Sequence, residues 1–366
     1  MNDEKNNIPA VPLFSSGAGC AVSGVPLTHD DEFGGIYIMC TDEALAELGI
    51  TYGDSLDIAF SNGYKLNDLP YYNGYYNPVG EALIVVYPGY HYIKAALNFG
   101  DDLWKIAGIG DSDTASVSLA EKGKYLSKQT SRDLSYTDKR ADYASDIVFA
   151  NFRNVTVGGI KKGRLYRAAS PCDNKHNRAP YVDALMSAAG VNVVIDLADN
   201  EEKIAQYMSE PGFSCPGFVT LRERGNVLPV SMNMAYNTAD FKQKTVLVLK
   251  ALAERKGPFL VHCTEGKDRT GFILMLIEAL CGADINEIED DFMITYDNYY
   301  GIRKDDTAAK YEAVVSCIMY PMLDSIIGEE GVSPFSADLY ACAERYALGL
   351  GLSRDELDRL RAALTD

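Results

Sequence analysis

The distribution of apolar and polar residues divides the chain into two parts. Up to about residue 120, short β-branched or aromatic runs alternate with turn residues, a pattern typical of a small, mainly-β domain. Asn62-Gly63 and Asn73-Gly74 are dipeptides that favour hairpins or other turns between such strands. We therefore predict a barrel-like accessory domain at residues 1–122, with strands at 36–39 (IYIM), 55–60 (SLDIAF), 82–87 (ALIVVY) and 115–119 (ASVSL).

After a polar stretch at 123–145, which we interpret as a linker, buried strands alternate with helices. The segments 191–197 (VNVVIDL) and 257–263 (GPFLVHC) are almost continuously apolar, as expected for central strands covered on both faces. A further strand is expected at 218–221. Residues 146–366 are thus predicted to form an α/β domain, a central sheet flanked by helices. We place helices at 181–189, 233–255, 271–281, 285–298 and 307–326, and further helices at the C-terminus.

Charge and composition exclude several classes of function. Lys and Arg number 34 against 52 Asp and Glu, a net charge of −18. Because such a surface repels phosphate backbones, no nucleic-acid partner is expected. No apolar run reaches the roughly 18 residues of a membrane-spanning helix, so no integral membrane segment is predicted. The eight cysteines and four histidines lack zinc-ligand spacing, and we expect neither a metal nor a cofactor.

The N-terminus has no apolar signal core behind a basic start, which favours a cytoplasmic location. A protein from which a signal peptide had been removed would give the same sequence, and would be secreted or lie in the envelope. The sequence carries no signal for an oligomeric state.

The clearest chemistry lies in the loop after the second buried strand, 262–271 (HCTEGKDRTG). The loop bends at Gly266 and leads into an apolar helix. Its backbone N–H groups and the helix N-terminus would form a concave anion site. The same positive field favours the thiolate form of Cys263. Arg269 adds a planar fork for two oxygens of a tetrahedral anion. Together these groups indicate nucleophilic attack on phosphorus.

This loop resembles the phosphate-binding loop of cysteine-dependent protein tyrosine phosphatases. The Lys267-Asp268 pair before Arg269 is similar to the bacterial branch with tyrosine, dual and lipid phosphatase activities. The resemblance continues over about 146–300. It includes 151–154 (NFRN), 163–169 (GRLYRAA) and 193–202 (VVIDLADNEE), in which Ala198 replaces the usual Arg. It implies a phosphomonoester hydrolase that acts through a phosphocysteine, without a metal.

The resemblance also implies a role for each loop residue. Cys263 is the nucleophile and Arg269 stabilises the phosphoryl group. His262 sits behind the loop and orients the Cys263 backbone. The Thr270 hydroxyl donates a hydrogen bond to the sulfur or caps the helix. The phosphate-binding residues are Cys263, Thr264, Glu265, Gly266, Lys267, Asp268 and Arg269.

The leaving oxygen needs an acid, and the chain lacks the Trp-Pro-Asp loop of the classical enzymes. Asp268 is the first candidate, with an ion pair to Arg153 or Arg167 as its alternative, structural role. Glu223 is the second candidate, because it follows the strand expected at 218–221. Lys267 is interpreted either as a phosphate-binding cation or as a solvated lysine.

Three functions are compatible with these residues. The first is hydrolysis of a phosphotyrosine protein, or of another phosphorylated small molecule or lipid. The second is a phosphoinositide or inositol phosphate phosphatase, in which Lys267, Arg222 and Arg224 bind the extra phosphates. The third is a non-catalytic phosphoester-binding module. Residues 96–119 resemble the C-terminal barrel of S-adenosylmethionine hydroxide adenosyltransferases, which implies a barrel shape and no activity.

Overall fold

A computed structural model describes residues 21–86 and 90–366. The first twenty residues of the predicted accessory domain therefore lie outside the described residues. The chain divides between Leu134 and Ser135 into two compact units. This division falls within the stretch 123–145, which contains a helix at Leu126–Arg132 and a 3-10 turn at Arg140–Asp142. The limits 1–122 and 146–366 remain predictions.

The first unit is a closed seven-stranded barrel with strand order β1-β2-β6-β5-β4-β3-β7. Apolar residues at alternate positions of these strands, such as Ile36, Ile38, Leu56 and Ile58, fill its core. The strands are β1 (Ala21–His29), β2 (Ile36–Ile38), β3 (Ser55–Phe60), β4 (Lys65–Tyr72), β5 (Ala82–Val85), β6 (Ile93–Leu97) and β7 (Thr114–Glu121). Three short helices accompany them, α1 (Asp42–Glu47), α2 (Leu103–Ile106) and α3 (Leu126–Arg132).

The two predicted turns have different outcomes. Asn62-Gly63 joins β3 to β4, which pair antiparallel, as predicted. Asn73-Gly74 lies at a bend but does not form a hairpin, because β4 and β5 pair in parallel and a tight turn cannot connect them. The Asn73 side chain instead accepts hydrogen bonds from the Tyr76 hydroxyl and the Gln129 amide, both at 2.7 Å.

The second unit contains a five-stranded sheet with strand order β11-β10-β12-β9-β8. All neighbours are parallel except β8 and β9. Both central strands, β10 and β12, are buried along their whole length, which agrees with their continuous apolar sequences. The strands are β8 (Arg153–Val155), β9 (Leu165–Ala168), β10 (Val193–Asp196), β11 (Val227–Pro229) and β12 (Phe259–His262).

Helices surround this sheet, and the predicted α/β class with a preceding β-barrel is confirmed. A π-helical segment, Val315–Met319, interrupts the long helix expected at 307–326. The helices are α4 (Asp146–Phe149), α5 (Ala179–Ala188), α6 (Glu201–Ser209), α7 (Pro216–Glu223), α8 (Ala239–Glu254), α9 (Asp268–Leu280), α10 (Ile285–Tyr300), α11 (Ala308–Val314), α12 (Tyr320–Ile327), α13 (Leu339–Gly349) and α14 (Arg354–Thr365).

The strand expected at 218–221 is instead part of α7. Pro216 occupies the first helical position, where its missing N–H costs nothing. Phe218 and Leu221 are both buried, and their spacing of three residues puts them on one helix face. Among the described residues, no helix combines the length and apolarity needed to cross a bilayer.

Candidate active site

The loop Cys263–Lys267 connects β12 to the first turn of α9, at the carboxyl edge of the sheet. Gly266 at its bend has φ +67°, a conformation that costs a residue with a side chain about 1–2 kcal/mol. A Cβ at this position would also collide with the Ala168 carbonyl oxygen. The tight turn of the loop against β9 therefore requires glycine.

The loop carbonyls are held from outside. The Glu265 carbonyl accepts hydrogen bonds from the Tyr299 hydroxyl (2.7 Å) and the Asn151 amide (3.2 Å). The Gly266 carbonyl accepts one from Arg167 Nη2 (3.0 Å). In a trans peptide the N–H group points opposite to the C=O group. The N–H groups of the same peptides therefore face the inner side of the loop, where an anion would bind.

Cys263 and Arg269 lie at the two ends of this anion-binding loop. Cys263 is buried, only 2% exposed. Arg269 donates from Nη2 to the Thr264 hydroxyl (3.2 Å) and from Nη1 to the Met232 carbonyl (3.2 Å). The buried Thr270 hydroxyl has no partner among the described residues, and it lies in the first turn of α9 rather than at its cap. The helix-capping role is therefore wrong, whereas the hydroxyl remains free to bond the sulfur.

His262 lies behind the loop, where the resemblance placed it. Its Nδ1 is 3.3 Å from the Cys263 carbonyl oxygen. Burial lowers the pKa of His262 to about 4, so the imidazole is neutral at pH 7. Because the carbonyl only accepts, Nδ1 carries the hydrogen and Nε2 keeps its lone pair.

A buried ion cluster supports the loop. Asp291 Oδ1 accepts from Arg153 Nε (2.9 Å), and its Oδ2 accepts from Arg167 Nη1 (2.6 Å). Burial opposes ionisation of Asp291, but the two guanidinium groups hold its pKa well below the usual range. Arg167 thus links α10 to the Gly266 carbonyl. Because Arg153 and Arg167 both pair with Asp291, the ion pair that we considered for Asp268 is wrong.

Asp268 and Lys267 lie at the open side of the loop. The Asp268 side chain is 37% exposed, and its Oδ2 is 3.7 Å from Lys267 Nζ. Lys267 Nζ also contacts Glu265 Oε2 (3.4 Å) and the Tyr300 hydroxyl (3.1 Å). Burial disfavours the charged amine, but the neighbouring carboxylates raise its pKa above the usual value. Lys267 is therefore neither solvated nor free of counter-charges.

The structure does not bring Glu223 to the loop. Glu223 ends α7, and the chain then enters β11 at Val227. Since β11 runs parallel to β10 and β12, the entry to β11 lies at the amino edge of the sheet, opposite Cys263. Arg222, on the same helix, is already paired with Glu201 (2.8 Å). Arg224 adjoins Glu223 at the end of α7, away from the loop.

Two features of the site could not be found from the sequence pattern. The segment 230–238, after β11, reaches Arg269 through Met232 and contains no Asp or Glu. Tyr136, inside the predicted linker, donates a hydrogen bond to the Glu265 carboxylate. Its ring stacks on Tyr299 at 5.1 Å and lies edge-on to Tyr300 at 5.6 Å. An aromatic residue in an otherwise polar segment was the available signal.

Cys263 and Arg269 thus lie at opposite ends of one loop between a parallel strand and a helix, an arrangement suited to a nucleophilic cysteine with a cation that stabilises developing charge. Residues 149–366 match the model of the tyrosine phosphatase family. The chain belongs to this family and is a cysteine-dependent phosphatase. The match does not reach the barrel, so the resemblance of residues 96–119 remains a prediction.

The chain is also similar to several solved structures at low identity. An uncharacterized conserved protein from Thermotoga maritima is 11% identical, with 31% of this chain and 42% of that chain covered and a TM-score of 0.23. The alignment thus spans less than half of that protein. The core catalytic domain of the PP-IP phosphatase SIW14 from S. cerevisiae is 18% identical, with 44% and 83% covered and a TM-score of 0.28. TpbA from P. aeruginosa is 18% identical, with 57% and 92% covered and a TM-score of 0.22. No curated protein matches the chain.

Proposed function

We propose that this phosphatase hydrolyses phosphomonoesters through a phosphocysteine on Cys263, and that aryl phosphates such as phosphotyrosine are its substrates. The observation that supports this most directly is the loop itself. Its carbonyls are fixed from outside by Tyr299, Asn151 and Arg167, so its N–H groups face the anion site before a substrate binds. Such preorganised donors stabilise a phosphoryl transition state without reorganisation.

The reaction has two steps. The Cys263 thiolate attacks phosphorus, a sulfur–phosphorus bond forms, and the bond to the leaving oxygen breaks as that oxygen takes a proton. A water molecule then attacks phosphorus, inorganic phosphate leaves, and the thiolate returns. Arg269 and the loop N–H groups neutralise the equatorial oxygens in both steps. Thr270 donates its hydroxyl hydrogen to the sulfur as the thiolate re-forms.

Asp268 is the acid in this proposal. It lies within the loop and is partly exposed, whereas Glu223 lies at the opposite edge of the sheet. The segment 230–238 approaches Arg269 without offering a carboxyl group. Asp268 is thus the carboxyl group best placed to protonate the leaving oxygen, and it then accepts a proton from the attacking water.

The surroundings of the loop favour an aromatic substrate. Tyr136, Tyr299 and Tyr300 form a cluster of rings beside Glu265 and Lys267. Tyr299 is buried and holds the loop from outside, so of these three rings the partly exposed Tyr136 and Tyr300 are the ones available to a substrate. An aryl ring gains from such neighbours through stacking. An inositol phosphate needs free cations, but Lys267 is already paired with two carboxylates. The phosphoinositide alternative is therefore less well supported. The intact pair of Cys263 and Arg269 argues against a module that only binds, because binding alone needs no nucleophile.

The nucleophile is tested with Cys263→Ser. We expect turnover of p-nitrophenyl phosphate to fall by at least about 10³-fold, because a hydroxyl is a far poorer nucleophile at neutral pH. Vanadate binding, measured by calorimetry, should persist because the loop and Arg269 are unchanged. A quenched reaction with labelled substrate should show phosphoprotein in the wild type and none in the variant. Cys317→Ser, remote from the loop in sequence and partly exposed, is the control. Hydrolysis by Cys263→Ser at the wild-type rate would refute the covalent mechanism.

The acid is tested with Asp268→Asn on substrates of graded leaving-group pKa. The variant should lose about 10²–10⁴-fold on phenyl phosphate and little on an activated aryl phosphate, since a good leaving group departs without a proton. Glu223→Gln is the matched control and should behave as the wild type on both. Equal losses on all substrates together with a lower melting temperature would assign Asp268 a structural role instead.

A further inference from the structure

Three ligand-type side chains meet at the carboxyl edge of the sheet, next to the phosphate-binding loop. Cys172 Sγ and carboxylate oxygens of Asp196 and Asp199 lie within 4.8 Å of one another, and all three residues are buried. Cys172 follows β9, and the two aspartates end and follow β10. Strand β12, which ends at His262, lies between β9 and β10. Three neighbouring parallel strands thus deliver these groups to one point.

The hydrogen bonds within the cluster are incomplete. Asp196 Oδ1 accepts from the backbone N–H groups of Ala198 (2.9 Å) and Asp199 (3.1 Å), and Asp199 Oδ1 accepts from Tyr207 (3.3 Å). The second oxygens of Asp196 and Asp199 are buried without a partner among the described residues. A buried carboxylate oxygen without a partner is costly.

His262 gives an independent indication of a cation. Its fully buried Nε2 has no partner among the described residues, and it lies 4.0 Å from Asp196 Oδ1. Because Nδ1 carries the hydrogen towards the Cys263 carbonyl, Nε2 presents a lone pair to a carboxylate. Nε2 and the carboxylate oxygen thus lie close together with no hydrogen bond between them, and an ion placed between them would bind to both. Two cations approach the cluster from its surroundings: the exposed Nζ of Lys203, which is 3.9 Å from Asp199 Oδ1, and the Arg269 guanidinium, whose charge acts on Asp196 and His262.

We propose that these three side chains, together with His262 Nε2, bind one Zn²⁺ ion directly behind the phosphate-binding loop. The donor set of thiolate, imidazole nitrogen and two carboxylates is one that Zn²⁺ accepts in four-coordinate sites. Tetrahedral zinc places its ligand atoms about 3.3–3.7 Å apart. The atoms of Cys172, Asp196 and Asp199 would therefore have to contract by about 1 Å, and His262 Nε2, which lies 4.0 Å from Asp196 Oδ1 but outside the group of atoms within 4.8 Å, would have to move further to become the fourth ligand.

The chemistry of the second coordination shell fits the same assignment. A zinc-bound histidine normally donates its other ring N–H to a carbonyl or carboxylate, which fixes the tautomer. His262 makes this contact with the Cys263 carbonyl. The ion would lie behind the loop rather than on its concave side, so it is a structural ion and not a participant in phosphate transfer. No metal-ligand spacing is visible in the sequence, because the ligands lie at the ends of three separate strands.

The experiment uses the full chain, freed of metal by chelation and titrated with Co²⁺ as a spectroscopic substitute for Zn²⁺. We expect one equivalent to bind with a thiolate-to-cobalt charge-transfer band, and Zn²⁺ to displace it. The Cys263→Ser variant should bind in the same way, which separates this site from the nucleophile. Zn²⁺ should also raise the melting temperature of that variant by mass action.

Two ligand variants on the Cys263→Ser background complete the test. Cys172→Ser should abolish the charge-transfer band. Its affinity for Co²⁺ should fall by more than the ~10–100-fold that is typical when a residue hydrogen-bonded to a metal ligand is replaced. Asp199→Asn should keep the charge-transfer band, because Cys172 is intact, but should bind Co²⁺ as weakly as Cys172→Ser does. The control Cys281→Ser removes a buried thiol elsewhere and should change neither. Binding of less than one equivalent of Co²⁺ by Cys263→Ser would overturn the proposal, as would a band that depends on Cys263 and not on Cys172. Titration without any Co²⁺ binding would also overturn it and would indicate that Asp196 and Asp199 share a proton instead.

Discussion

The buried ion cluster of Arg153, Arg167 and Asp291 allows us to predict how much stability the protein loses when the charge of Asp291 is removed. Asp291→Asn keeps the shape of the side chain but removes the negative charge between Arg153 and Arg167. The Arg167 side chain is 1% exposed and that of Arg153 is 11% exposed, so water cannot replace the lost partner. Breaking a buried ion pair by removing one partner costs about 3–5 kcal/mol. Asn retains one acceptor oxygen, so we expect a loss near 3 kcal/mol in the free energy of unfolding.

This loss is a large part of the roughly 5–15 kcal/mol that stabilises a typical domain. For a domain of this size it corresponds to a fall in melting temperature of about 6–12 °C. Urea unfolding at pH 7 is the primary assay. Because Arg167 also holds the Gly266 carbonyl, kcat for p-nitrophenyl phosphate should fall as well, while the effect on KM should be smaller.

The pH dependence has a defined sign. The pKa of Asp291 is lower in the folded than in the unfolded protein, so its contribution is fully present above the unfolded value of about 4. The contribution is lost as pH falls through the folded value. The difference in stability between wild type and Asp291→Asn should therefore be constant from pH 7 to pH 5 and shrink below pH 4.

Two further variants make the prediction refutable. Asp297→Asn lies on the same helix and removes an exposed ion pair with Arg303, so it should leave stability almost unchanged. Burial and the charge of Asp291 raise the pKa of Glu278 well above its usual value, and this neutral carboxyl could ionise once Asp291 is gone. The double variant Asp291→Asn with Glu278→Gln removes that substitute. A loss below about 1 kcal/mol in the double variant would refute the reasoning.

Two other predictions concern the whole reaction. Phosphate transfer itself should need no metal, because the nucleophile and the anion-binding groups are protein atoms, so protein treated with EDTA should turn over as long as it stays folded; loss of activity on chelation without a change in circular dichroism or melting temperature, restored by a divalent ion, would contradict the mechanism. Residues 135–366 expressed alone should retain activity towards small aryl phosphates, since the anion-binding loop and its supports lie in that unit. A fragment that folds, as judged by circular dichroism, but does not turn over would show that the predicted domain limits are wrong.

Local sequence determined much of the fold. The buried strands β10 and β12 can be predicted because they are apolar on both faces. Strand β3 can be predicted because turn residues lie on either side of it. Two expectations differ from the structure for identifiable reasons. The four residues 218–221 are too few to distinguish a strand from a helix turn, and Pro216 was the missed helix signal. Asn73-Gly74 is a hairpin dipeptide in isolation, but tertiary contacts of Asn73 prevail.

The site was predictable where its residues are contiguous and unpredictable where they are not. Cys263, Gly266 and Arg269 lie within one loop, so their spacing alone indicates an anion site. Tyr136 approaches the loop only through tertiary structure. The pairing of Arg153 and Arg167 with Asp291 joins residues more than a hundred positions apart, and no periodicity reveals it. The position expected for Glu223 is wrong because residues 218–221 form part of a helix and not the strand that their pattern predicts.

The closure of the N-terminal barrel limits how that unit can recognise another molecule. In residues 21–86 and 90–134, β1 pairs with β7 and completes the ring, so the sheet has no first or last strand. An extended peptide binds many domains by adding a strand to an exposed sheet edge, with main-chain hydrogen bonds supplying the affinity. A closed barrel excludes this mode. A partner of this unit must be recognised by side chains and loops, and its binding should therefore depend on residue identity rather than on backbone shape.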